Sequence, residues 1–149
     1  YGYRSSPAKG VEETYVLSRS EGFGPEVKRR IMTGTFVLSQ GYYDAYYTKA
    51  QKARRLMKNA TDVIFNSVDV LLLPTTPTTA FEIGAIKDAI QMYLQDIFTV
   101  HANITGNPAL SMPFKTHTNG MPYGIQIMSN RFEEDQLFNF AKFVEEINK

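Results

Sequence analysis

A short apolar run that leads into a proline- and threonine-rich loop constrains the fold of this chain most. Residues 69–81 read DVLLLPTTPTTAF, and no polar side chain interrupts Val70 to Leu73. An apolar run without alternation is typical of a strand buried on both faces, and such strands belong to α/β sheets covered by helices. We therefore expect an α/β fold with a strand, buried on both faces, at 70–73.

The loop after this predicted strand is the first candidate site. Ligands of open α/β sheets lie just beyond the carboxyl ends of strands. Two prolines, Pro74 and Pro77, stiffen the loop at this place. Four threonines share it: Thr75, Thr76, Thr78 and Thr79. The pattern predicts the edge of a pocket, and an ordinary exit from strand to loop is the simpler explanation of the same residues.

Composition excludes several classes of function. The 149 residues are enough for one domain with a sizeable core. The net charge is +1, from 16 basic and 15 acidic residues, so there is no strong field for nucleic acid or a membrane surface. No cysteine is present, which excludes a disulfide framework, a thiolate zinc site and a thiol nucleophile, and fits a cytoplasmic location. The first residue is not methionine, and we expect a piece of a longer protein.

Hydrophobic periodicity and turn residues predict the remaining elements. Helices are expected over 12–20, from Pro25 to about residue 39, over 42–66, 87–95 and 97–103, and from residue 133 to the end. Strands are expected over 109–114 and 123–129, with a turn at Asn119-Gly120 between them. The pattern predicts two long helices with apolar faces and a final helix with its own core face.

Three of these faces are specific enough to test. In the second helix, a buried stripe is expected at Val27, Ile31, Gly34 and Leu38, with Gly34 retained for close packing. In the long helix, the apolar residues recur every three or four positions from Tyr43 to Ile64. In the last helix the expected core residues are Leu137, Phe140, Ala141, Val144 and Ile147.

Most isolated chemical signals have simple structural explanations. The basic residues of 49–58 could contact RNA phosphates, but in a chain of balanced charge a solvated helix face is the favoured explanation. His101 and His117 lack partners at metal-ligand spacing, so we predict no metal site, a structural or pocket-wall His101 and a surface His117. Ser6 and Lys9 match an S-x-x-K pattern only formally, because Pro7 and the polar surroundings predict a loop.

Arg29, Arg30 and Asp96 are the more specific candidates. A guanidinium matches a carboxylate and an aspartate matches an ammonium group, so together they could bind a free amino acid. Spacing alone does not bring Arg30 near Asp96, and ordinary surface ion pairs explain the same residues. Both interpretations stay open at this point.

Several collinear segments resemble one family. They are residues 20–57 (SEGFGPEVKRRIMTGTFVLSQGYYDAYYTKAQKARRLM), 69–81, 92–100 (MYLQDIFTV), 102–114 (ANITGNPALSMPF) and 120–128 (GMPYGIQIM). In this order they resemble the C-terminal part of the A-subunit family of aspartyl/glutamyl-tRNA amidotransferases, a branch of the amidase-signature enzymes. The resemblance implies an α/β/α sandwich with a mixed sheet, of which residues 1–149 form the C-terminal portion.

The resemblance also implies a mechanism for the parent protein. A Ser-Ser-Lys triad hydrolyses glutamine through an acyl-enzyme, and its residues belong to segments absent from these 149 residues. The ammonia passes to the partner subunits B and C, where ATP and Mg²⁺ serve to activate the aminoacyl-tRNA. We therefore expect no catalytic residue, no metal and no cofactor in this chain, and no activity from it alone.

Substrate recognition is what the resemblance assigns to this chain. In the family, an arginine of the KRRI segment binds the glutamine carboxylate and an aspartate after the MY pair binds the amino group. By position these are Arg30, with Arg29 as the alternative, and Asp96. Three positions depart from the usual family pattern: His101 stands where proline is common, Asn107 where an apolar residue is common, and Ser129 where glycine is frequent.

Two other functions remain alternatives at this stage. One is an amidase that acts on another small amide without partner subunits. The other is a binding or scaffold module that has the fold but no chemistry. The preference for Glu-tRNA or Asp-tRNA belongs to the partner subunits and is not encoded here.

Overall fold

The computed structural model describes residues 2–148, which divide into two compact units. Residues up to Gln51 form the first unit, and residues from Lys52 onward form the second. The sequence predicted a single domain belonging to a larger one. We describe each unit by itself.

Helices make up the first unit. Two α-helices, α1 (Gly10–Gly22) and α2 (Pro25–Val37), precede a π-helix (Tyr43–Thr48) and the start of α3 (Lys49–Ile64). Gly24 is the N-cap of α2 and Pro25 its first residue, where the absent N–H costs no hydrogen bond. Glu26 lies in the first turn, the favourable end of the helix dipole for an acidic side chain. Both predicted helices are confirmed, and α1 is longer than expected.

The predicted buried stripe of α2 is wrong in this structure. Val27, Ile31 and Leu38 are 45%, 50% and 54% exposed, and Leu38 follows the helix as its C-cap. A Cβ on Gly34 would meet no atom within 4 Å, so close packing does not require this glycine. Periodicity indicates which residues share a face, but it does not supply the layer that covers the face.

The predicted long helix is present as the π-helix followed by α3, and its apolar face is exposed. Tyr43 and Tyr46 are 46% and 52% exposed, and Met57 and Ile64 are 38% and 43% exposed. Thr61 is the buried residue of α3. As in α2, the spacing predicted the face correctly, whereas burial of that face depends on other elements.

The second unit contains a three-stranded antiparallel sheet and several helices. Its elements after α3 are β1 (Val70–Pro74), α4 (Ala89–Leu94), α5 (Ile97–Thr105), β2 (Ala109–Thr116), β3 (Pro122–Ser129) and α6 (Glu134–Ile147). The strand order is β1-β3-β2, so β3 is central. In the register, Ile127 of β3 pairs with Leu72 on one side and Leu110 on the other. All three predicted strands and the three predicted helices are confirmed.

Burial follows position in the sheet. In the central strand, Ile127 and Met128 are fully buried, whereas Leu72 of the edge strand β1 is 51% exposed. The expectation that the strand at 70–73 is buried on both faces is therefore wrong, because Leu72 is half exposed. A run of apolar residues without alternating polar ones shows that both faces of a strand are apolar. Burial of each face still requires helices or loops from other segments to pack on it.

The core of this unit lies between the sheet and its helices. Phe65, Ala102 and Met128 form its buried cluster, with Leu71 and Leu73 packed against them. From α6, Leu137 and Val144 are buried as predicted, whereas Ile147, at 67% exposed, is not. Gly106 ends α5 in the left-handed conformation that favours glycine. The predicted α/β fold class is confirmed.

Candidate functional site

Arg30 lies on the exposed face of α2. Its Nε donates to Glu26 Oε1 at 3.1 Å, and Arg29 also forms an ion pair with Glu26. The side chain of Arg30 is 65% exposed. Both arginines of the KRRI segment therefore share one carboxylate on their own helix. This placement does not distinguish Arg30 from Arg29 as a ligand-binding residue.

Asp96 lies at the junction of α4 and α5, in the second unit. It is the N-cap residue of α5, yet its carboxylate makes no cap hydrogen bond to the helix. Its backbone is held on both sides, because its N–H donates to Tyr93 O at 3.1 Å and its carbonyl accepts from Val100 N at 2.9 Å. An exposed carboxylate on a well-held backbone is suited to bind an ammonium group. The pairing of Asp96 with Arg30, which belongs to the first unit, stays a prediction.

The threonine loop after β1 lines a groove. Thr76, Thr78 and Thr79 border a groove of about 560 Å³ together with Tyr123 and Gly124 of β3. Thr75 borders an adjoining hollow of about 250 Å³. The loop is therefore a pocket edge as well as an exit from the strand.

Hydrogen bonds fix the start of this loop on the sheet. Thr75 N donates to Gly124 O at 3.1 Å, and Thr75 Oγ1 lies 2.8 Å from Ser111 Oγ of β2. A Cβ on Gly124 would lie 2.9 Å from Met112 O and 3.0 Å from Thr75 Oγ1, so the loop and both strands meet where only glycine fits. Sequence reasoning missed Ser111, for which the signal was a single hydroxyl in an otherwise apolar strand segment.

A further hydrogen bond joins the loop to the Asp96 segment. Thr78 Oγ1 lies 2.8 Å from Gln95 Oε1, so the hydroxyl donates to the amide oxygen. Gln95 is the C-cap of α4 and directly precedes Asp96. Two candidates that the sequence placed in separate segments, the threonine loop and Asp96, are thus neighbours in the second unit. Gln95 was also missed, because no local pattern marks it.

The two histidines have the structural roles that the sequence predicted. His101 Nε2 lies 3.0 Å from the hydroxyl of Thr61, which is 2% exposed. His117 is exposed in the turn between β2 and β3, where its Nδ1 accepts from Asn119 N. Across residues 2–148, no cluster of three His, Cys, Asp or Glu could hold a metal ion.

The basic residues of α3 lie on a helix face that also carries the acidic residue Asp62, which forms ion pairs within the protein. Lys58 Nζ lies 2.5 Å from Asp62 Oδ2, and Arg131 Nη2 lies 3.3 Å from Asp62 Oδ1. The hydrogen bond from Lys58 lowers the pKa of Asp62 below its ordinary value, and the nearby charges of Arg131, Lys58 and Arg55 act in the same direction against some desolvation. These contacts favour the structural interpretation of the basic residues.

The S-x-x-K match has no catalytic geometry. Ser6 lies in a turn, and Lys9 is the N-cap residue of α1, where its N–H donates to Glu13 Oε2. A helix that would place the serine beside the lysine is absent at these positions. The acidic residues Glu134 and Asp135 lie in the first turn of α6, the favourable end of the helix dipole for acidic side chains. In the described part of the chain, no helix is long and apolar enough to span a membrane.

Comparison with known proteins places this geometry in a family. The amidase family matches residues 3–138. The chain is 52% identical, over 95% of its length, to the A subunit of glutamyl-tRNA(Gln) amidotransferase of Vesicomyosocius okutanii. It is 53% identical, over its whole length, to an A subunit of the same amidotransferase from Clostridium acetobutylicum. The chain spans 29% and 31% of these two relatives.

Solved structures agree with the sequence comparison. The A subunit of glutamyl-tRNA(Gln) amidotransferase from Thermotoga maritima is 46% identical over 85% of this chain, with a TM-score of 0.63, and the match covers 28% of that protein. An amidase structure that is 24% identical, with a TM-score of 0.69, shows the same fold over 93% of this chain. Because the family match covers nearly all of the 149 residues, the chain belongs to the amidase family.

Proposed function

We propose that this chain is part of the glutaminase subunit, the A subunit, of a tRNA-dependent amidotransferase. The observation that carries the proposal is the identity of 50–54%, over 95% or more of the chain, to proteins named as the A subunit of glutamyl-tRNA(Gln) amidotransferase. Amidases of other activities are 20–24% identical and share only the fold. The proposal places the protein in the cytoplasm, where aminoacyl-tRNA is used.

The role of this chain in the proposal is to bind glutamine. The guanidinium of Arg30 binds the α-carboxylate through paired hydrogen bonds, and the carboxylate of Asp96 binds the α-ammonium group. These two contacts orient the side-chain amide toward the nucleophile. Both side chains are exposed, which supports this role because a ligand can reach each of them without displacing core residues.

The chemistry itself belongs to other residues of the whole protein. A serine oxygen attacks the amide carbon of glutamine, ammonia leaves, and water hydrolyses the resulting ester to give glutamate. The Ser-Ser-Lys residues for these steps lie outside the 149 residues. The partner subunits B and C receive the ammonia and, with ATP and Mg²⁺, convert Glu-tRNA(Gln) or Asp-tRNA(Asn) to the amidated form.

Ammonia release from glutamine tests the proposal. We expect release by the whole protein in complex with its partners, and none by these 149 residues alone. Simple amides such as propionamide are the matched substrates that lack the α-carboxylate and α-ammonium groups. Equal hydrolysis of such amides by the whole protein would contradict a glutamine-specific site and favour a general amidase. Serine-dependent release by the 149 residues alone would contradict the absence of a triad.

A further inference from the structure

Apart from the main-chain hydrogen bonds of Asp96 with Tyr93 and Val100, the segment before Asp96 has little support of its own. The helix before it, α4, has six residues, none of them buried, and so short a helix is unstable without outside contacts. The carboxylate of Asp96 makes no hydrogen bond to the N-terminus of α5. The position of this carboxylate therefore depends on how the backbone at 95–98 is held.

Two side-chain amides hold this backbone, one on each side of Asp96. Before it, Gln95 Oε1 accepts the hydroxyl of Thr78 at 2.8 Å. After it, Gln126 Nε2 donates to Phe98 O at 3.0 Å. Gln126 lies in the central strand and is 4% exposed, so the second tether is anchored in the core.

The first tether is anchored through the threonine loop. Thr76 Oγ1 donates to Thr78 O at 2.7 Å, and Asn119 Nδ2 donates to Thr79 Oγ1 at 2.9 Å. The first bond holds the main-chain carbonyl of Thr78, and the second holds the side chain of the next residue, Thr79. The loop is thus held in place around Thr78, whose hydroxyl donates to Gln95.

From this arrangement we propose that Thr78 is a positioning residue for glutamine binding, which acts through Gln95 on the carboxylate of Asp96. The inference rests on the proposed function, because it assumes that Asp96 binds the substrate ammonium group. Loss of the Thr78 hydroxyl frees the end of α4 and lets the carboxylate of Asp96 sample positions away from the ligand. Binding of glutamine then weakens, while the attack on its amide, at the other end of the molecule, is little affected.

Steady-state glutaminase kinetics of the whole complex test this proposal. We expect Thr78→Val, which keeps the shape and removes the hydroxyl, to raise KM for glutamine about fivefold, the size of one net hydrogen bond, with kcat nearly unchanged. Thr78→Ser restores the hydroxyl and should return KM to within about twofold of the wild type. Thr14→Val is the matched control, because the Thr14 hydroxyl bonds only to the carbonyl of Gly10 on its own helix.

A double-mutant cycle tests the route through Gln95. Gln95→Met removes the acceptor, so Thr78→Val in that background should raise KM by less than about 1.5-fold. Equal effects of Thr78→Val in both backgrounds, or a serine variant as weak as the valine variant, would overturn the proposal. Asp96→Ala separates a failure of the proposed role of Asp96 from a failure of the positioning role of Thr78. If Asp96→Ala leaves KM unchanged, the proposed role of Asp96 fails, whereas if only Thr78→Val has no effect, the positioning role alone fails.

Discussion

Asn107 Nδ2 donates to the main-chain carbonyl of Ser129 at 2.9 Å, and both residues are buried, at 7% and 0% exposed. Next to this bond, Ser129 N donates to Pro108 O at 3.2 Å. The turn after α5 is thus fastened to the end of the central strand. Asn107 and Ser129 are two of the three positions at which the resemblance led us to expect a departure from the usual family pattern, and in this structure they are in contact.

We expect Asn107→Leu to lower the free energy of unfolding by about 1–3 kcal/mol, because it leaves a buried carbonyl without its donor. Chemical denaturation of the purified protein measures this change. Asn59→Leu on the exposed face of α3 is the control and should change stability by no more than about 0.5 kcal/mol. Equal stability of the two variants would contradict a structural role for the bond.

Gly124 and Gly34 form a second matched pair. Gly124→Ala should lower stability by about 1–3 kcal/mol, because its Cβ would meet Met112 O at 2.9 Å and backbone atoms cannot easily move aside. Gly34→Ala should raise stability by about 0.5–1 kcal/mol, because the helix gains an alanine in open space. Thermal unfolding of both variants measures the difference. A destabilised Gly34→Ala variant would indicate that α2 is packed more closely than this structure shows.

Asp62 should contribute to the pH dependence of stability. Its pKa in the folded protein is below its ordinary value of 3.8, first because of the hydrogen bond from Lys58. A lowered folded pKa stabilises the folded state above the unfolded pKa, and this stabilisation is lost as pH falls through the folded pKa. We therefore expect the stability of Asp62→Asn to fall less steeply than that of the wild type as the pH is lowered from about 6 to about 2, the range in which carboxyl groups titrate. Denaturation at a series of pH values measures this difference.

The exposed Asp69 provides the control for that experiment. Asp69→Asn should lose stability at low pH as steeply as the wild type, because the contacts of Asp62 with Lys58 and Arg131 remain in place. The same steepness in the wild type and Asp62→Asn would show that the ion-pair cluster around Asp62 does not contribute to stability.

Arg30→Ala and Asp96→Ala test glutamine binding directly. Each should raise KM for glutamine about tenfold to a hundredfold in the whole complex, because in the proposed site each is a charged hydrogen-bonding partner of the substrate. Arg29→Ala distinguishes the two arginines and should have a smaller effect. For simple amides, which lack both charged groups, the same variants should change KM by less than about twofold. A similar loss with both kinds of substrate would indicate disrupted folding instead of lost recognition.

The sequence by itself determined the secondary structure and the family. Local rules placed Pro25 at a helix start and three strands in their correct segments, because each depends on neighbouring residues. Tertiary structure decided which apolar faces are covered, as Leu72 and Ile31 show, since cover comes from distant segments. It also decided the contact between Thr78 and Gln95, because a hydrogen bond across 17 positions leaves no periodic trace in the sequence.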